Sequence, residues 1–95
     1  MPKIYEYLGL ILFFYSNEHE PIHIHAKYQG MESKAEIHMR DGLVQKIVIK
    51  MGLEIKKRRE FKEFVEVKAD EIVEKWIDYF VRKKHITPIS ITRRV

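Results

Sequence analysis

A run of alternating side chains, followed by two tight-turn signals, constrains the fold of this chain most. Residues 22–28 alternate between apolar and polar types, which is the two-residue period of a strand with one buried face. Two-residue hairpin signals follow at positions 29–30, Gln-Gly, and 41–42, Asp-Gly. A strand with two such turns behind it predicts an antiparallel meander of three strands.

The first turn predicts how the strands pair. Counting back from it places Tyr28 opposite Met31 and His23 opposite Glu36, and the apolar side chains then share one face of the sheet. A slip of one residue would mix apolar and polar side chains on both faces, so we predict this register. The opposite face, called the histidine face below, carries His23, His25, Lys27, Glu32, Lys34, Glu36 and His38.

The segments around the meander extend the predicted sheet. Residues 43–50 predict a fourth strand, and counting through the second turn places Ile47 and Ile49 on the histidine face. Residues 3–7 predict a short first strand or an extended lead. Residues 10–15 are apolar on both faces, whereas one helical layer covers only one face of a sheet. We therefore expect another chain or the C-terminal tail to cover their second face.

The second half of the chain has a helical pattern. In residues 54–83 apolar side chains recur at steps of three and four, which predicts one long amphipathic helix. Low helix propensity in residues 65–67, Val-Glu-Val, permits a kink there. Residues 86–95 predict an extended tail with a short strand. The predicted fold class is α+β: an antiparallel β-meander of about four strands backed by one long C-terminal helix, with a short C-terminal strand.

Length and composition limit the domain organisation and the kinds of site. Ninety-five residues with 45% hydrophobic content predict a single domain over residues 1–95. The absence of cysteine excludes disulfides and thiolate metal sites. The first residues lack a signal-peptide pattern, and the longest apolar run, residues 8–15, is shorter than the roughly 20 residues of a membrane-spanning helix. We therefore expect a cytoplasmic protein that does not bind a membrane.

The net charge of +4 comes from the second half, because residues 1–50 contain equal numbers of acidic and basic side chains. A basic run lies near the predicted helix start, where each positive charge opposes the helix dipole and typically costs a few tenths of a kcal/mol. Two explanations remain open. The run binds RNA phosphates together with the free amides of the first turn, or it is a solvated helix face whose positive charge Glu54 and Glu60 partly neutralise. The run consists of Lys56, Lys57, Arg58 and Arg59.

Three interpretations of the histidine face remain open. In the first it is a solvated polar surface with cross-strand pairs such as His23–Glu36. In the second His23 acts as a base oriented by Glu36, and a neighbouring lysine stabilises a phosphate. In the third the histidines and Glu36 bind zinc, nickel or iron, although residues two apart on a strand are separated by about 6.5 Å. We predict His23, His25 and Glu36 as catalytic residues and His19, Lys27, Lys34 and His38 as binding residues, without a cofactor or bound metal.

Three segments together resemble one protein family. They are the initial Met-Pro, residues 14–25 (FYSNEHEPIHIH) and residues 76–80 (WIDYF). They are similar to the small bacterial domain-of-unknown-function family numbered 4160, whose most specific feature here is the His-x-Pro-x-His-x-His core. The resemblance implies an α+β fold and a gene neighbour from another small family, in the manner of a toxin–antitoxin pair. It implies no particular reaction.

Two functions from different classes are consistent with these observations. The first is a component of a toxin–antitoxin-like pair that acts on RNA or translation through the histidine face and the basic run. The second is a non-catalytic antitoxin or adaptor that binds a protein through an apolar sheet face formed by residues 10–15, Ile47 and Ile49. Both predict a protein partner, such as the product of the adjacent gene, or a homo-oligomer, and the first adds RNA.

Overall fold

The chain forms a sheet of mixed strand direction with a long helix on one face. The computed structural model describes residues 2–15, 21–50 and 52–95. In these residues the strands are β1 (Lys3–Tyr7), β2 (Leu10–Phe13), β3 (Ile22–Tyr28), β4 (Met31–Arg40), β5 (Leu43–Lys50) and β6 (Ile89–Ile91), and the helix is α1 (Ile55–Phe80). The strand order is β5-β4-β3-β2-β1-β6. The predicted α+β class is confirmed: the described sheet has a meander of five strands, where about four were predicted, and the predicted short C-terminal strand is its sixth.

The β3–β4 hairpin has the predicted register. His23 pairs with Glu36, and each residue of β3 has the partner expected from the sequence. Both residues of the turn have positive φ, 49° at Gln29 and 79° at Gly30. This is the geometry of a type I′ turn, whose twist matches that of the flanking strands. The turn therefore keeps the polar residues of both strands on one face.

A β-bulge changes the register between β4 and β5. Met39 pairs with Val44, but the preceding residue of β4, His38, pairs with Lys46. Gln45 is therefore an extra residue on β5. An extra residue shifts the following side chains of its strand to the opposite faces from those expected in a regular hairpin.

The bulge overturns the predicted positions of two isoleucines. Ile47 lies opposite Ile37, a core residue, and Ile49 likewise packs against the core that the sheet shares with α1. The prediction that Ile47 and Ile49 lie on the histidine face is therefore wrong. On the histidine face, Lys46, Val48 and Lys50 lie opposite His38, Glu36 and Lys34, so β5 adds two lysines and one apolar residue where two isoleucines were predicted.

Helix α1 is continuous over residues 55–80, where the sequence predicts residues 54–83. No break interrupts the helix near Val65, where weak propensity permits a kink, and Val65 is fully buried. The ring of Phe64 lies 4.8 Å from that of Tyr5 and 4.5 Å from that of Tyr7. The buried residues of α1 are Glu60, Phe61, Phe64, Val65, Ala69, Ile72, Val73 and Trp76.

The link between β5 and α1 passes close to β4. A β-carbon at Gly52 would overlap the carbonyl oxygen of Glu32, so only glycine fits there without a backbone shift. The next residue, Leu53, donates its backbone N–H to Ser33 Oγ at 3.0 Å. These two contacts fix the start of α1 against the sheet.

The C-terminal tail adds a parallel strand at the far edge of the sheet. β6 pairs with β1, and Ile89 lies opposite Tyr5. Beyond β6, the guanidinium of Arg94 donates hydrogen bonds of 2.9 and 3.0 Å to Glu63 of α1. The tail therefore extends the sheet sideways and does not lie over the second face of β2.

Candidate functional site

The histidine face is the surface of β3 and β4 that α1 does not cover. Ile24 and Ala26 are fully buried in the core shared with α1, so the alternation of β3 turns His23 and His25 to the other side. Glu36 lies directly opposite His23. The prediction that His23, His25 and Glu36 share the face opposite the helix is confirmed, and their chemical roles remain predictions.

Glu36 is the centre of a cluster of nitrogen groups. His38 Nε2 lies 3.2 Å from Glu36 Oε1, and His23 Nε2 lies 3.5 Å from Glu36 Oε2. The Nζ atoms of Lys50 and Lys34 lie 3.6 and 4.0 Å from the same Oε2. The side chain of Glu36 is only 14% exposed. Two imidazoles and two ammonium groups therefore surround one largely buried carboxylate.

The surroundings of Glu36 keep its carboxylate ionised. Burial is the largest single influence on its pKa and acts to raise it. The hydrogen bond with His38 and the charges of Lys50, His23 and Lys34 together outweigh burial, so the pKa of Glu36 lies below its usual value. An ionised carboxylate favours a proton on each imidazole nitrogen that faces it, and it thereby orients both rings.

Glu32 forms a second cluster on β4. Glu32 Oε2 lies 3.4 Å from His25 Nδ1, and Lys27 Nζ lies 3.9 Å from Glu32 Oε1. The hydroxyl of Tyr15 donates to this carboxylate, with distances of 2.9 and 3.1 Å to its two oxygens. His25 thus contacts Glu32, whereas His23 contacts Glu36. The predicted catalytic trio is divided between two carboxylates.

His25 belongs to a small aromatic cluster on this face. It is 6% exposed, its ring stacks on Phe13 at 5.4 Å, and it meets the ring of Tyr15 edge-on at 4.3 Å. The interpretation that the whole histidine face is solvated is therefore wrong at His25.

Phe13, on the second face of β2, is 1% exposed within this single chain. The expectation that another chain or the tail covers the second face of residues 10–15 is wrong at Phe13, because the rings of Tyr15 and His25 in the same chain pack against it.

Three contributors to the two clusters were not among the predicted site residues: Lys50, Glu32 and Tyr15. Lys50 reaches Glu36 because of the bulge at Gln45, and the signal that could have located the bulge is that a regular hairpin would turn Lys46 and Lys50 toward the core. Tyr15 lies in the apolar run that we interpreted as a docking surface. The signal that could have located it is the pairing of β2 with β3, which brings the end of the apolar run beside His25.

Lys57, the second member of the basic run, has a structural position. Its Nζ donates to the carbonyl oxygen of Leu8 at 2.7 Å and lies 2.9 Å from Glu60 Oε1. The same Nζ lies 4.6 Å from the centre of the Tyr28 ring. With 12% of its side chain exposed, Lys57 ties α1 to the turn between β1 and β2.

The other members of the basic run point to different places on the helix side of the sheet. Arg58 and Arg59 line a groove beside β5, whereas Lys56 lines a neighbouring depression with Arg94. The run is thus separated from the histidine face by the sheet itself. RNA binding by the run remains a prediction, and the geometry does not join it to the two carboxylate clusters.

His19, the remaining predicted binding residue, lies outside the described residues. Within residues 2–15, 21–50 and 52–95, no group of three or more histidine or acidic side chains is placed to hold a metal ion. Over the same ranges, no helix combines the length and the apolar character that crossing a membrane requires.

Comparison with known proteins gives a match at the level of a family. The model of the family described as "Domain of unknown function (DUF4160)" matches residues 9–77. This range includes β2 to β5 and most of α1, and with them both carboxylate clusters, but neither β1 nor β6. No match was found among curated proteins or among solved structures.

Proposed function

This chain belongs to the DUF4160 family, and we propose that its histidine face binds single-stranded RNA and cleaves it by metal-independent acid–base catalysis. The observation that carries the proposal is the placement of two imidazoles, those of His23 and His38, on the two oxygens of Glu36. General acid–base catalysis needs one group to accept a proton and another to donate one at the same reacting centre. In this proposal the two imidazoles oriented by Glu36 divide these two tasks.

Cations around the imidazole pair provide contacts for phosphates. The side chains of Lys27, Lys34 and Lys50 are 47%, 35% and 59% exposed, and each lies within 4.0 Å of a carboxylate. Ion pairs with this exposure stabilise a protein by only about 0–1 kcal/mol, so a phosphate can replace the carboxylate at small cost. Open sheet surfaces that carry aromatic and basic side chains are a common platform for single-stranded RNA.

The reaction that fits these groups is attack by a ribose 2′-hydroxyl on the adjacent phosphorus. One imidazole accepts the hydroxyl proton, the bond from phosphorus to the 5′-oxygen breaks, and the other, protonated imidazole gives its proton to that oxygen. The products are a 2′,3′-cyclic phosphate and a 5′-hydroxyl end. Lys34 and Lys50 stabilise the negative charge of the transition state. His38, whose side chain is 32% exposed, takes the catalytic place that the sequence analysis gave to His25.

The family resemblance supports a role for this reaction in a toxin–antitoxin-like pair. In this proposal the chain is the member that acts on RNA, and a partner protein suppresses its activity. Because cleavage of RNA stops protein synthesis, expression of the chain without its partner should arrest cell growth. Glu36→Gln, which removes the charge that orients both imidazoles, should relieve that arrest.

Incubation of the untagged protein with end-labelled single-stranded RNA in the presence of a chelator tests the proposed reaction. We expect RNA fragments with 2′,3′-cyclic phosphate ends, and we expect DNA of the same sequence to stay intact because it lacks the 2′-hydroxyl. Each of His23→Ala and His38→Ala should lower the cleavage rate by about 10²–10⁴-fold. Circular dichroism of each variant establishes that it is folded.

His85→Ala is the matched control, because His85 is an exposed histidine beyond the end of α1. Its cleavage rate should equal that of the wild type. Cleavage that persists at the wild-type rate in the His23→Ala/His38→Ala double variant would identify a contaminating nuclease and reject the proposal. RNA that stays intact at every protein concentration would reject it as well.

A further inference from the structure

Strand β5 forms one edge of the described sheet and lies beside an open groove. Among the described residues β5 pairs with β4 alone, so the backbone groups along its outer side are not used by another strand. The groove runs between β5 and the first turns of α1, with a volume of about 550 Å³. Its lining consists of Ile47, Ile49, Ile55, Arg58, Arg59 and Lys62.

We propose that this edge and groove bind an extended segment of a partner protein that is rich in acidic and apolar residues. The segment adds as a strand beside β5, where its backbone pairs with the outer edge and its side chains enter the groove. The groove lies on the helix side of the sheet. The inference therefore goes beyond RNA cleavage by the histidine face and does not depend on it.

The floor of the groove is apolar because of the bulge in β5. The extra residue at Gln45 turns Ile47 and Ile49 toward α1, where both remain partly accessible. On the opposite wall, Ile55 is 60% exposed. Apolar side chains of an added strand would cover all three isoleucines, and burial of apolar surface is the main source of affinity in such a contact. An apolar floor suits a polypeptide segment better than a phosphate backbone.

The charge around the groove selects an acidic segment. Arg58, Arg59 and Lys62 lie along one side of α1, and of the described residues that line the groove none is acidic. Lys46 is exposed on the other face of β5. An incoming strand thus meets positive charge on both of its faces, and acidic side chains complement it.

The same charges disfavour a second copy of this chain as the occupant. Two β5 edges that paired about a two-fold axis would bring two identical basic grooves together. Like charges that face each other across an interface oppose its formation. We therefore infer an acidic partner of different sequence.

A synthetic peptide is the probe for this surface. It has eight residues, the length of β5, and pairs of valine alternate with pairs of glutamate, so that each face of the strand carries both types. We expect the labelled peptide to bind the full-length protein in fluorescence anisotropy titrations. The double charge reversal Arg59→Glu/Lys62→Glu should weaken binding by about tenfold or more. A peptide with lysine in place of glutamate should prefer this double variant to the wild type.

The matched control is Lys56→Glu/Arg93→Glu, which changes the net charge equally at two exposed positions outside the groove lining. Circular dichroism establishes that both double variants are folded. Equal weakening in the two double variants, or no binding of the acidic peptide at millimolar concentration, would overturn the inference. So would light scattering that shows a wild-type dimer lost in Arg59→Glu/Lys62→Glu. An RNA oligonucleotide that displaces the peptide from the wild type would assign the groove to RNA instead.

Discussion

His23, His25 and His38 lie on one face of the sheet but have different surroundings. His25 is buried against Phe13 and contacts Glu32, whereas the side chain of His38 is 32% exposed and contacts Glu36. His23 lies between these extremes, with 16% of its side chain exposed. Burial suits His25 for holding the face together, and access suits His38 and His23 for contact with a ligand.

Replacement of His25 should destabilise the protein more than replacement of His23. His25→Ala removes a buried ring from between two aromatic side chains, and we expect the free energy of unfolding to fall by about 2 kcal/mol. For His23→Ala we expect a loss below about 1 kcal/mol, because a partly accessible pair contributes little. Urea denaturation of both variants measures the difference. A His25→Ala variant as stable as the wild type would show that its packing is dispensable.

Glu36 should make stability depend on pH in the acid range. Its pKa in the folded protein lies below the ordinary value of 4.5, so its contribution is fully present above about pH 4.5 and is lost as the pH falls through the folded-state pKa. Glu36→Gln lacks this contribution at every pH. The difference in unfolding free energy between wild type and Glu36→Gln should therefore shrink below pH 4.5. A difference that is constant from pH 7 to pH 3 would contradict this.

Turns and alternation made the β3–β4 hairpin predictable, whereas contacts between distant segments were not. Gln29-Gly30 specifies a turn, and a slipped register would bury charged side chains, so the position of His23 opposite Glu36 follows from local sequence alone. The bulge at Gln45 is harder to predict, because its signal is a conflict: a regular hairpin would turn Lys46 and Lys50 toward the helix and Ile47 and Ile49 away from it. The burial of His25 depends on β2, a strand outside the β3–β4 hairpin, because Phe13 of β2 pairs with His25.

Deletion of Gln45 tests whether the bulge residue does more than correct the register of β5. Without it, pairing from the turn places Lys46 opposite His38 and Ile47 opposite Ile37, which are the pairs that the bulge already gives. We therefore expect Ile47 and Ile49 to stay in the core and the free energy of unfolding to change by about 1 kcal/mol or less. Gln45→Ala keeps the bulge and the length of the chain and is the matched control. Thermal unfolding followed by circular dichroism compares both variants with the wild type, and a large loss of stability in the deletion alone would contradict this prediction.

At the scale of the molecule, the two faces of the sheet differ in what covers them, and so do its two edges. Helix α1 covers one face, and the histidine face opposite it carries the two carboxylate clusters. The β1 edge is covered by β6, whereas β5 is an edge in the described sheet. The proposed RNA surface and the groove proposed for a protein segment therefore lie on opposite sides of one sheet.

Removal of residues 88–95 should expose the β1 edge. This truncation deletes β6 and leaves the outer backbone groups of β1 without their partner strand. We expect the truncated protein to associate at concentrations where the full-length protein does not, as measured by light scattering. Arg94→Ala removes the exposed contact with Glu63 but leaves β6 in place, and it should behave as the wild type. If the truncated chain showed the same scattering as the full-length chain, β6 would not protect this edge.

The pairing of β6 with β1 also has a consequence for the order in which the sheet can be completed. The backbone N–H of Val95 donates to Tyr7 Oη at 3.1 Å across a separation of 88 positions, whereas the hairpins close loops of a few residues. Contacts between distant positions form later than local ones, since closing a longer loop costs more chain entropy. A ribosome synthesises β1 before every other described strand and β6 after them. On a chain still being translated, the β1 edge is therefore open until the segment that contains β6 has emerged.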